Sequence, residues 1–155
     1  MRSSLKLLAL GAMLAIAAVN SPIALAADKD QVLKDRQAAM KEQGRQMVVV
    51  RNYLEDKADQ AAALAALDSL AKSVPTVPTL FPPGTEGEAP EGKWGSKPEI
   101  WSEHDKFLAA TKKVGDQIAA LNVAVKSGDK AKAQATFKDI GFCSGCHDTF
   151  RAKLQ

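Results

Sequence analysis

The sequence is short of cysteine, histidine and aromatic residues. Two cysteines and two histidines in 155 residues are too few for a disulfide framework or for several zinc sites. Aromatics make up 5% of the chain, which argues against a β-sandwich, since such folds draw on aromatic and β-branched side chains. No apolar run reaches the ~20 residues that a membrane-spanning helix requires. Charge of one sign is not in large excess either, with 21 basic residues against 18 acidic ones. Nothing in that balance asks for a nucleic-acid partner. What is abundant is alanine and leucine, within a composition 46% apolar and 25% charged. Such a chain is no disordered polyelectrolyte, and it favours helices.

Residues 1–26 read as a signal peptide. Arg2 and Lys6 form its basic start, Leu7 to Val19 its apolar centre, and Ala24-Leu25-Ala26 the small-x-small cleavage site. Removing that leader takes away two cations and brings residues 27–155 close to neutrality, as a single exported domain. Its composition and periodicity predict an all-α fold, an antiparallel four-helix bundle with a long crossover between helices two and three.

The first helix is expected from about Lys29 to Asp56, with Asp28 and Gln31 as a capping box. Leu33, Met40, Met47 and Leu54 recur every seven residues, with Val50 beside them. The second helix is expected over about Ala58 to Ser73, with Ala61, Leu64, Leu67 and Leu70 on one face and Val74-Pro75 ending it. Residues 74–97 hold five of the seven prolines and four of the ten glycines, and read as an irregular crossover pinned by Phe81 and Trp94. Ser96 to Glu99 reads as the capping box of a third helix running to about Lys126, with Ile100, His104, Phe107, Thr111, Val114, Ile118, Leu121 and Val125 inward. Ser127-Gly128-Asp129 stops it and starts a fourth, striped by Ala133, Phe137, Ile140, His147 and Phe150.

Cys143-Ser144-Gly145-Cys146-His147 carries the chemistry. On a helix, positions 143, 146 and 147 are i, i+3 and i+4 and share a face. Two thiols so spaced can add to the two vinyl groups of one haem, and the adjacent imidazole can then reach its iron, so C-x-x-C-H reads as an attachment site for haem c. Other readings of the motif are a thioredoxin-like dithiol, a zinc site using Cys143, Cys146, His147 and His104, and a plain disulfide. The dithiol reading lacks the strand that should precede it. Zinc is disfavoured by the adjacent Cys-His pair, and a disulfide leaves His147 without a role.

Together with Arg36-Gln37-Ala38-Ala39-Met40 and Gly44, with Pro83-Gly84-Thr85-Glu86-Gly87, and with Pro98-Glu99-Ile100-Trp101, the motif followed by Phe150-Arg151 resembles the class II c-type cytochromes. That family includes cytochrome c′ and low-spin relatives such as cytochrome c-556. The resemblance spans essentially all of residues 27–155. It implies one covalent haem c on Cys143 and Cys146, with His147 as the proximal ligand of the iron. It also implies that Arg151 flanks the imidazole, that Arg36 and Gln37 touch the haem edge, and that Met40 stands on the distal side. As a ligand, Met40 would make a six-coordinate haem suited to electron transfer. As a packing residue it would leave the iron open to nitric oxide or carbon monoxide. The two readings stay open, with ligation favoured.

The expected function is thus that of a periplasmic mono-haem electron carrier rather than an enzyme. It would serve redox proteins of the periplasm or inner membrane, with five-coordinate gas binding as the alternative. A homodimer would be expected to use helices one and two.

Overall fold

Alanine at positions 24, 26 and 27 carries the first helix further back than its expected cap. The computed structural model describes residues 22–86 and 94–153, and α1 runs from Pro22 to Leu54. Asp28 therefore lies inside the helix rather than at its start, and Gln31 donates to Asp35 Oδ1 at 2.8 Å instead of reaching back. The expected leader lies outside the described residues as far as Ser21, and Gly87 of the crossover motif lies outside them too.

Helix α2, Gln60–Ser73, begins where Asp59 Oδ1 accepts from the Ala62 amide at 2.7 Å. Its buried face is Ala63, Ala66, Leu67 and Leu70, while Ala61 is exposed and Leu64 half-buried. The expected face was therefore rotated from the real one, because alanine gives little signal of direction. The chain past Val74 is not irregular at once. Val74–Leu80 forms a 3-10 turn in which Thr76 and Thr79 hydroxyls donate back to Ser73 and Thr76 carbonyls.

The third helical segment is broken. α3, Glu99–Ser102, stops at Glu103, where the backbone leaves the helical region, and α4, His104–Lys126, starts anew. Ser96 does not cap α3, since no side chain caps it. Its hydroxyl instead accepts from Arg36 Nη1 at 3.2 Å. Gly128, in the left-handed region, and Asp129, accepting from Lys132 N at 2.9 Å, provide the expected stop and restart.

The last segment is broken as well. α5, Lys130–Ile140, ends on Gly141 at φ 51, and a 3-10 turn over Gly141–Cys143 leads into α6, Ser144–Phe150. Only glycine takes that conformation cheaply, so the stripe expected across both helices is interrupted at 141. Beyond α6, strand β2 (Arg151–Lys153) pairs antiparallel with β1 (Trp94–Ser96), opposing Trp94 with Lys153 and Ser96 with Arg151. The sequence offered no strand signal for these three-residue segments.

α1 packs on α2, α2 on α4, and α4 on α5, which closes against α1 as a bundle. The main core joins Met47, Val50, Leu67, Leu70, Ile118 and Leu121 across α1, α2 and α4. A second apolar cluster of Val77, Phe81, Ile100, Phe107 and Phe150 fills the end reached by the crossover. Phe81 is buried as expected, whereas Trp94 is 46% exposed. At the other end Lys130 pairs with Asp56 and stands 5.0 Å from the Tyr53 ring centroid. Among the described residues, the exposed large apolar side chains are Val48, Trp94, Leu108 and Val123, of which Val48 lies on α1. No helix among the described residues is long and apolar enough to cross a membrane.

Candidate functional site

Two adjoining cavities open between α1, the crossover end of α4 and the Cys143–His147 segment. The inner one, of about 90 Å³, is walled by Met40, Gln43, Gly44 and Met47 from α1, Val74 and Val77 from the 3-10 turn, and Thr111 and Val114 from α4. The outer one, of about 550 Å³, falls within the usual range for a cofactor pocket. Met40, Gly44, Val77, Cys146 and His147 line both.

Every haem-site residue that the resemblance implies reaches this space. Cys143 lines the inner cavity. Arg36, Gln37 and Arg151 line the outer one, and Met40, Cys146 and His147 stand at the junction. His104 does not reach it. It is exposed at the start of α4, with Nδ1 3.3 Å from the Ile100 carbonyl, rather than buried in the inward seam. His104 is in phase with Phe107 and Thr111 on α4, but it stands in the first turn, at the end of the packed seam.

The helix-face argument for the motif needs one amendment. Cys146 and His147 lie on α6, but Cys143 stands just before it with φ 66, a left-handed backbone that a side-chain-bearing residue adopts at a cost of order 1–2 kcal/mol. Its sulfur packs on the main core, whereas Cys146 packs on the second cluster. The two cysteines thus stand against different apolar clusters while lining the same cavity.

Burial sets the electrostatics. It raises the Cys143 thiol above its ordinary range, and raises Cys146 to about 11 with help from the neighbouring sulfur. Protonated, buried thiols are poor nucleophiles at neutral pH, the opposite of what a dithiol redox centre requires. Burial also lowers His147, assisted by Arg151 and opposed by Asp148. A neutral imidazole keeps the lone pair that a metal needs. An apolar cavity holding a neutral imidazole, a thioether and two thiols suits a haem. The backbone of α1 forms part of the wall at Gly44, where a Cβ would meet nothing within 4 Å.

Arg36 lines the outer cavity and is anchored to the crossover as well. It is 6% exposed, and its side chain points into the crossover. Nε donates to the Leu80 carbonyl at 2.9 Å, Nη2 to Thr85 Oγ1 at 2.9 Å, and Nη1 to Ser96 Oγ at 3.2 Å. Longer donations from both terminal nitrogens reach the Thr85 carbonyl at 3.4 Å. Burial lowers it to about 10, still cationic at neutral pH. All five donors of the guanidinium are engaged by the crossover, so Arg36 holds the cavity's roof.

The sequence reading missed three further features of the site. Trp101 Nε1 donates to the carbonyls of Phe81 and Pro82 at 3.1 and 3.2 Å, Phe107 stacks edge-on between Phe81 and Phe150, and Lys97 Nζ donates to the Asp148 carbonyl at 3.1 Å. Arg151 lies over the Trp94 ring, 4.0 Å from its centroid. Gln43 was missed as well, although its place three residues after Met40 on one helix face could have flagged it.

Comparisons with known proteins agree with this arrangement. Residues 31–151 match the family model described as Cytochrome C′. Cytochrome c′ of Pararhodospirillum photometricum is 32% identical over 130 residues, covering 81% of this chain and 99% of that protein. Cytochrome c-556 of Agrobacterium fabrum is 33% identical over 97 residues, covering 61% of this chain and 62% of the relative. A nitric oxide complex of a variant of cytochrome c prime from Alcaligenes xylosoxidans superposes with a TM-score of 0.69 at 30% identity, over 81% of this chain and 96% of that one. The chain belongs to the cytochrome c′ family, the class II c-type cytochromes, and its cofactor is one covalent haem c.

Proposed function

We propose that the protein is a periplasmic electron carrier, not an enzyme, with haem bound to Cys143 and Cys146 by thioethers and its iron held between His147 and Met40. The observation that carries this reading is that Met40 and His147, from α1 and α6, both line both cavities. Once bound, the haem supplies a one-electron iron couple, and a methionine–histidine pair raises its potential.

The chain's own residues supply the setting. Phe81, Phe107, Phe150 and Ile100 keep one end of the cavity dry. Arg36 fixes the crossover over it, and the Trp94–Arg151 pair frames its solvent edge. Export of the chain by its leader would place it among redox proteins of the periplasm or inner-membrane surface, which would be its partners.

A second reading, an open iron that binds nitric oxide or carbon monoxide, is favoured by the nitric oxide complex solved for the Alcaligenes protein. Visible spectra of the oxidised and reduced protein, with and without Met40→Ala, test the choice. The carrier reading expects a low-spin spectrum that turns high-spin in the variant. A native protein already high-spin and shifted by carbon monoxide supports gas binding instead.

A further inference from the structure

Gln43 is 9% exposed and lines the inner cavity one helical turn beyond Met40, with Cys146 and His147 on the same lining. Outside the Cys–His motif, the other polar side chain in that lining is Thr111, and its hydroxyl is already committed, donating to the Phe107 carbonyl at 3.0 Å. Gln43 differs. Its amide nitrogen carries two hydrogens, and Nε2 makes one long donation to Ser73 Oγ at 3.4 Å. The rest of the wall is valine and methionine. A buried amide beside an apolar cavity is costly unless its hydrogens find acceptors.

We propose that Gln43 is the hydrogen-bond donor on the Met40 side of the cavity, and so a specificity-determining residue for neutral diatomic ligands with an acceptor end, such as carbon monoxide or nitric oxide. This inference rests on the reading that His147 and Met40 flank the iron from two sides. In a pocket of low dielectric, a donated N–H both holds such a ligand longer and draws electron density toward its outer atom, which weakens its internal bond. Thr111, with its proton spent on a backbone carbonyl, can do neither.

The test uses the haem-loaded protein carrying Met40→Ala, in which the sixth position is open whatever Met40 does natively, with carbon monoxide as the probe. It is compared with the double variants Met40→Ala/Gln43→Leu and Met40→Ala/Thr111→Val, with Gln43→Met replacing Gln43→Leu should the latter fail to fold. Loss of Gln43 is expected to raise the carbon–oxygen stretching frequency and to speed dissociation roughly three- to tenfold, the worth of one hydrogen bond. Thr111→Val is expected to change neither. An unaltered stretch and off-rate without Gln43, or equal changes in both double variants, overturns the proposal. Failure of the Met40→Ala protein to take up carbon monoxide at all overturns the two-sided reading of the site, and this inference with it.

Discussion

Arg36 and Phe81 are stacked, with the guanidinium carbon 4.0 Å from the ring centroid. That contact joins α1 to the crossover, because the same guanidinium holds the carbonyls of Leu80 and Thr85 and the hydroxyls of Thr85 and Ser96. A planar cation does this with one side chain: it lies flat on an aromatic face while its edge donates in several directions.

Arg36→Lys keeps the charge and discards the plane. It is expected to lose about 2–4 kcal/mol of stability, the worth of a desolvated stack and several charge-assisted hydrogen bonds. Urea denaturation measures it. A loss under about 0.5 kcal/mol would mean that the crossover is held by other contacts.

Gly141 and Gly115 should respond to alanine with opposite signs. At Gly141 the backbone is left-handed, and a Cβ would stand 2.7 Å from Ser144 Oγ. Gly141→Ala should therefore cost about 1–2 kcal/mol. Gly115 sits inside α4 with nothing within 4 Å of its would-be Cβ, so Gly115→Ala should stabilise by about 0.5–1 kcal/mol. Thermal melts of the two single variants give the comparison directly.

Much of this was legible beforehand. Of the heptad Leu33, Met40, Met47 and Leu54, Met40 is half-buried at the cavity wall and the other three are buried as their spacing requires. The C-x-x-C-H run announced its own chemistry, because the spacing is itself the geometric requirement. Arg36 was harder to read, since its partners lie 44 to 60 positions away and two of the four are backbone carbonyls, which carry no sequence signature. The break at Glu103 and the β1–β2 ribbon were hidden for a related reason. One residue leaving a helix, or three residues pairing with three, is decided by tertiary contacts and not by periodicity. Gly141 was readable, and the continuous stripe around it masked the stop.

Trp94→Ala should be nearly neutral for the fold. The ring is half-exposed, and its stack on Arg151 is worth about 0.5–1 kcal/mol in such a place. The ribbon itself is held by backbone pairing and by the Lys97 amide, which donates to the Phe150 carbonyl at 3.0 Å. A loss above about 2 kcal/mol on denaturation would show that Trp94 packs as core.

Withholding the haem should cost far more than any of these substitutions. A cleft of about 550 Å³, walled by Phe81, Ile100, Phe107 and Phe150, would stand open to water. At ~25 cal/mol per Å² of apolar surface left wet, the loss should reach several kcal/mol, a large part of the stability of a domain this size. Cys143→Ala/Cys146→Ala protein purified without haem is expected to keep its far-ultraviolet helical signal, bind a hydrophobic dye and melt without a sharp transition. A cooperative melt near that of the loaded protein would contradict this.

The antiparallel pairing of Trp94–Ser96 with Arg151–Lys153 makes the tail of the chain a latch on the site. Whatever is fused just past Lys153 pulls on the same backbone that seats Arg151 and Phe150. An affinity handle for purification therefore belongs at the other end, after the expected leader, where α1 runs on before Leu33, Arg36 and Met40 reach the cavity.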